Sequence, residues 1–133
     1  MLVKVPGYSR YPVNQETPEA DGALVEHSSQ MLKGVLDMCL LALIAEEPSY
    51  GYEMVDKLQN KGLELVSEGS IYPLLSRLQK RGYIHGYFVE STGGPPRKYY
   101  RIAPSGRKQL RLWSGEWRTV SSGVDEVLNG GAR

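Results

Sequence analysis

The sequence predicts a mainly α protein with a small β-hairpin. Three observations carry this expectation. Apolar residues recur at helical spacing in separate segments, two runs rich in aromatic and β-branched residues flank a Gly-Gly-Pro-Pro stretch, and the basic residues gather in one contiguous third of the chain. The chain has 133 residues, of which 41% are hydrophobic and 23% charged, values that fit a folded globular chain with one modest core.

The inventory excludes several classes. A single cysteine, Cys39, rules out an intramolecular disulfide and a cysteine-rich zinc site, and its apolar surroundings make it a small core residue. His27 and His85 lie far apart without ligand spacing, so no metal and no cofactor is expected. The longest apolar stretch, Val35 to Ala45, falls well short of the roughly 20 residues of a membrane span and carries Asp37. With no basic-then-apolar leader at the N-terminus, a cytoplasmic protein is the expectation.

Residues 1–29 carry Pro6, Pro12 and Pro18 without an apolar period and read as an irregular arm. Gln30 to Glu47 reads as one helix, apolar nearly all round, with Leu36 and Leu40 among the positions a second chain would cover. Ser49 is a reasonable N-cap for a shorter helix towards Gln59, ended at Gly62. Ile71, Leu74, Leu75 and Leu78 form an apolar stripe at i, i+3, i+4 and i+7. With Ser70 as N-cap, Pro73 is tolerated as the third helical residue, and the helix stops at Gly82. Its outward face then presents Ser70, Tyr72, Pro73, Ser76, Arg77 and Lys80, which are polar, aromatic and basic groups without a carboxylate.

Tyr83 to Glu90 reads as a strand, Ser91 to Pro96 as a turn, and Arg97 to Ile102 as the returning strand, with Arg97 and Lys98 near the tip. Pro104 opens a last helix. Its Leu110, Trp113, Trp117, Val120, Val124 and Val127 follow alternating spacings of 3 and 4, a short seam of the kind that joins two copies of a chain.

The formal charge is only +1, yet residues 68–108 hold eight basic groups against Glu68 and Glu90, a net of +6. The near-neutral total is a cancellation by the acidic residues before position 68. A basic face of this kind attracts a polyanion.

Three helices, a hairpin with a basic tip and a last helix make a winged helix-turn-helix domain over 30–103, with a C-terminal dimerisation helix and tail over 104–133. Met31-Leu32-Lys33-Gly34, Tyr50-Gly51-Tyr52-Glu53, Gly69 to Leu75, Arg77-Leu78, Gly82-Tyr83-Ile84 and Pro96 to Ile102 occur in order along the chain. Together they resemble the PadR family of bacterial transcription regulators, in its shorter branch with a single terminal helix.

The resemblance implies a homodimeric repressor on a pseudo-palindromic stretch of double-stranded DNA. Ser70, Tyr72, Pro73, Ser76 and Arg77 would meet DNA from the third helix, and Arg97 and Lys98 from the wing; Lys80, on the same outward face of that helix, joins them by its position in the sequence. Trp117, with Trp113 one turn earlier, would line a pocket for a small aromatic effector between the copies, although Trp113 replaces a small residue of the family pattern. Ala103 stands where the family carries a capping hydroxyl. The family pattern begins almost at Met31, which raises the expectation of a translation start there. The rival reading is a winged-helix module for protein–protein contact, which has no salt-dependent affinity for DNA. An enzyme is not expected, because no base sits near an orienting partner.

Overall fold

The computed structural model describes residues 27–130. Most of the expected N-terminal arm, residues 1–26, lies outside the described residues. The chain divides into two compact units, one spanning Val35–Arg118 and the other made of residues up to Gly34 with those from Thr119 on.

In the second unit, helix α1 covers His27–Lys33, so helical structure begins ahead of the expected Gln30. The single helix expected from Gln30 to Glu47 is in fact two, for Gly34 and Val35 form a turn before α2 (Leu36–Glu46). The Gly34 amide donates to the Met31 carbonyl at 3.1 Å, a tightened last turn at a residue with poor helix propensity.

The Val35–Arg118 unit holds the sheet and the core. After α2 come β1 (Ser49–Tyr50), α3 (Gly51–Asn60), α4 (Glu68–Lys80), β2 (Ile84–Ser91), β3 (Gly94–Ile102) and the start of α5 (Pro104–Gly130). The antiparallel sheet runs β1-β3-β2, so the expected hairpin gains a third, two-residue strand. Leu40, Leu41, Ile44, Met54, Ile71, Leu75, Leu78 and Ile84 are fully buried and form the core. Helix α2 packs against β3 and α4, so its leucines and Ile44 are buried within the chain. Leu36 and Leu40 are buried there, with 0% of Leu40 exposed, which corrects the expectation that a second copy covers them.

Several caps differ from expectation. Ser49 belongs to β1 and its hydroxyl donates to the Glu47 carbonyl at 3.0 Å; Tyr50 is the N-cap of α3, and its amide donates to Glu53 Oε1 at 3.3 Å. Helix α4 starts earlier than expected, at Glu68 with Ser67 as N-cap, which makes Pro73 its sixth residue rather than its third. Pro73 therefore removes a hydrogen bond to the Gly69 carbonyl from inside the helix. Gly69 and Pro73 are both exposed, so water can take that carbonyl. Gly82 ends α4 at φ +79, its amide bonded to the Gln79 carbonyl at 2.9 Å.

The turn of the hairpin is Thr92-Gly93, shorter than the expected Ser91–Pro96, with Gly93 at φ +76. β3 thus begins at Gly94 and contains both prolines. That is tolerated because β1 pairs only with Tyr99 and Tyr100, leaving the edge at Pro95 and Pro96 without a partner strand. At the other end, the Ala103 amide donates to the Tyr83 carbonyl at 2.9 Å, and the Ser105 hydroxyl donates to the Gly82 carbonyl at 2.8 Å. Ala103 is buried, and the Ser105 hydroxyl ties this helix start to Gly82 as a donor rather than capping a helix amide.

Candidate nucleic-acid interface

The second helix of the pair, α4, follows α3 through a turn closed by Gln59 Nε2, which donates to the Val66 carbonyl at 2.8 Å. Ile71, Leu75 and Leu78 fix its inner face in the core. Ser70, Tyr72, Pro73, Ser76, Arg77 and Lys80 are all exposed on the remainder. These side chains are not equivalent. The Ser70 hydroxyl is engaged in the cap, accepting from the Ser67 amide at 3.0 Å and donating to the Ser67 carbonyl at 2.7 Å. The Tyr72 ring lies over Gly51, where an added Cβ would stand 2.6 Å from the phenol oxygen. Burial, with the Glu68 carboxylate second, raises the Tyr72 pKa above its ordinary value, so the phenol keeps its proton.

Arg77 is the largest departure from the sequence reading. Its Nη1 lies 3.5 Å from Asp37 Oδ2 in the first turn of α2. The exposed face therefore has a carboxylate partner that sequence spacing did not reveal. The available signal was an acid set among apolar residues at the start of that helix, a residue type that needs a partner when buried.

Strand alternation divides the wing residues. Phe88 pairs with Lys98 and Gly86 with Tyr100, whereas Val89 pairs with Arg97 and Tyr87 with Tyr99. Lys98 and Arg97 are adjacent, so they project to opposite faces. Lys98 joins Tyr72, Ser76, Gln79, Lys80 and Tyr100 around an open groove of about 240 Å³ between α4 and the sheet. Its Nζ lies 5.6 Å from the Tyr100 ring centre and 5.9 Å from that of Phe88. Gln79 and Phe88, the latter 69% exposed, are surface residues that sequence reasoning missed. On the other face, the Arg97 guanidinium stands 4.7 Å over the Tyr50 ring. Tyr99 lies between Tyr50 and Tyr87, at 5.2 and 6.1 Å between ring centres, so it packs on the outer face of the sheet rather than in the core.

Trp113 and Trp117 are also unlike. Trp113 is half-buried edge-on against Tyr83, with ring centres 6.0 Å apart, whereas Trp117 is 48% exposed. Val120, Val124 and Val127 are exposed too, and Leu110 is half-buried. Cys39 is half-buried, and burial pushes its thiol pKa up, away from reactivity.

The fold has close counterparts. The model of the transcriptional regulator PadR-like family matches residues 40–112, from α2 into α5. The chain belongs to the PadR-like family of transcriptional regulators. A PadR-like transcriptional regulator from Bacillus cereus shares 49% identity, with 74% of this chain and 96% of that one covered at a TM-score of 0.68. A PadR family regulator from Eggerthella lenta shares 29% identity, covering 84% and 97% at a TM-score of 0.74. An uncharacterized protein of Lysinibacillus sphaericus is 33% identical over 104 residues, covering 77% of this chain and 95% of its own. Membership makes this PadR-like chain a DNA-binding regulator of transcription, with the winged-helix architecture expected from its sequence. Among the described residues, no single helix is long and apolar enough to cross a membrane, and no group of three or more acidic, histidine or cysteine residues could hold a metal.

Proposed function

We propose that this PadR-like regulator is a homodimeric cytoplasmic repressor that places α4 of each copy in successive major grooves of a pseudo-palindromic promoter site. The groove shared by α4 and the wing is the observation that carries the reading. It sets Lys80 and Lys98 beside Tyr72 and Ser76, which puts cations for phosphate next to small and aromatic groups for base edges. Ser70 and Pro73 border this surface in the first half of α4, Arg77 flanks it, and Arg97, on the opposite face of the wing, would reach phosphate by a separate route. Residues 30–103 would form the DNA-binding module and 104–133 the dimerisation helix and tail. The exposed seam of Trp117, Val120, Val124 and Val127, continuing from Leu110 and Trp113, supports that division.

Two reading heads on one dimer must match half-sites about 34–36 Å apart, so an effector that alters the dimer angle would release DNA. Trp117 has the exposed ring such a small aromatic ligand would stack on, and Trp113 the shielded one. Fluorescence anisotropy with the duplex upstream of the protein's own gene, across a salt series and with aromatic ligands, tests the reading. Tight binding that falls linearly with the logarithm of salt concentration is expected. Binding without salt dependence, or none, refutes it in favour of a module for protein contact.

A further inference from the structure

The Asp37–Arg77 pair joins the buried helix α2 to the exposed face of α4. The Arg77 side chain remains 47% exposed, while that of Asp37 is 25% exposed. Among the described residues, Asp37 Oδ1 is buried with no hydrogen-bond partner. A carboxylate with one oxygen shut away from water and unpartnered is held to its counter-charge, since losing that contact would leave the group with no compensating partner. The first turn of α2 also favours a negative group at this position. Arg77 is thereby drawn toward the body of the protein, and one of the basic groups of the DNA-facing helix is neutralised.

We infer that Asp37 is a specificity-determining residue that acts through Arg77, withholding this guanidinium from phosphate so that charge alone gives little affinity for arbitrary DNA. The inference rests on the DNA-binding reading of α4 and refines it. A free arginine on this face would add one phosphate contact to any duplex, whatever its sequence. Such a contact raises non-specific binding without helping discrimination. Held at Asp37, the same residue leaves selection to the groove lined by Tyr72, Ser76 and Lys98.

The test compares the wild type, Asp37→Asn and Asp37→Asn/Arg77→Ala on two probes, a duplex of arbitrary sequence and the duplex upstream of the protein's own gene. In Asp37→Asn, affinity for the arbitrary duplex should rise several-fold, its salt slope should steepen by about one unit, and the preference between probes should narrow. The double variant should return the slope to the wild-type value. Nitrogen-15 NMR of arginine side chains adds a readout independent of DNA, with slowed rotation of the Arg77 guanidinium, held at Nη1, that is released in Asp37→Asn. An unchanged slope in Asp37→Asn, or a rise that persists in the double variant, overturns the inference while DNA binding itself stands. If no variant binds either probe, the DNA-binding reading fails and takes this inference with it.

Discussion

Gly86 lies directly beneath the Lys98 side chain: a Cβ at position 86 would stand 2.5 Å from Lys98 Cε and 3.0 Å from Gln79 Oε1. The absence of a side chain on β2 is what lets Lys98 lie across the sheet toward α4. Gly86→Ala should therefore displace a flexible lysine rather than break the fold, leaving stability within about 1 kcal/mol of wild type. DNA affinity should fall several-fold, measured by anisotropy beside a thermal melt. Equal affinity in the variant would remove Lys98 from the interface.

Lys98 and Arg97 occupy opposite faces of one strand, so their removal separates two routes to phosphate. Lys98→Ala and Arg97→Ala should each weaken binding to all sequences and flatten the salt slope by about one unit. A slope unchanged in Arg97→Ala would assign that guanidinium to its stack on Tyr50 instead.

Gly106, buried in the first turn of α5, faces the Tyr83 carbonyl so closely that an added Cβ would overlap it. The obstacle is backbone, which cannot swing aside, so Gly106→Ala should destabilise the fold by about 1–3 kcal/mol. Chemical denaturation measures this loss. A variant as stable as wild type would show that α5 can lift from the sheet without cost.

Val124 is 49% exposed on the seam of α5. A glutamate there would carry a charge into any contact between two such seams. Val124→Glu should run as a monomer in light scattering where the wild type runs as a dimer, and its DNA affinity should fall with it. A dimeric Val124→Glu protein would place the interface elsewhere.

The Tyr72 and Tyr100 pKa values are both raised, chiefly by burial, with Glu68 adding to the first and Tyr72 to the second. The folded state therefore holds these protons more firmly than the unfolded state. Their contribution to stability is complete below the ordinary tyrosine pKa of about 10 and is lost as pH rises through the folded values. Spectrophotometric titration should show two phenols ionising late, and Tyr72→Phe should lessen the alkaline loss of stability. Normal titration of every tyrosine would contradict this.

What the sequence made legible follows from periodicity and punctuation. The stripe of Ile71, Leu75 and Leu78, the stop at Gly82 and the hairpin are found where spacing and turn residues put them. Strand β1 was hidden because two residues cannot display an alternation, and Ser49 and Tyr50 resemble a helix start equally well. Pro73 drew the expected start of α4 too late, since a proline is cheapest near an N-terminus, whereas the Ser67–Ser70 cap sets the true start. Within the candidate interface, residue types and exposure were readable from local spacing. The partner of Arg77 was not, because Asp37 lies 40 residues earlier in the sequence and only tertiary packing brings the two together.

The unequal settings of Trp113 and Trp117 give the protein a built-in optical gauge. These two are the only tryptophans in the chain, and they sit one helical turn apart. One ring is sheltered against Tyr83 and the other meets solvent. Emission should therefore divide into a fraction that iodide quenches readily and a fraction it reaches poorly, with no label attached. Covering the seam, by a ligand or by another copy, changes the first fraction; loosening the junction of α5 with Tyr83 changes the second.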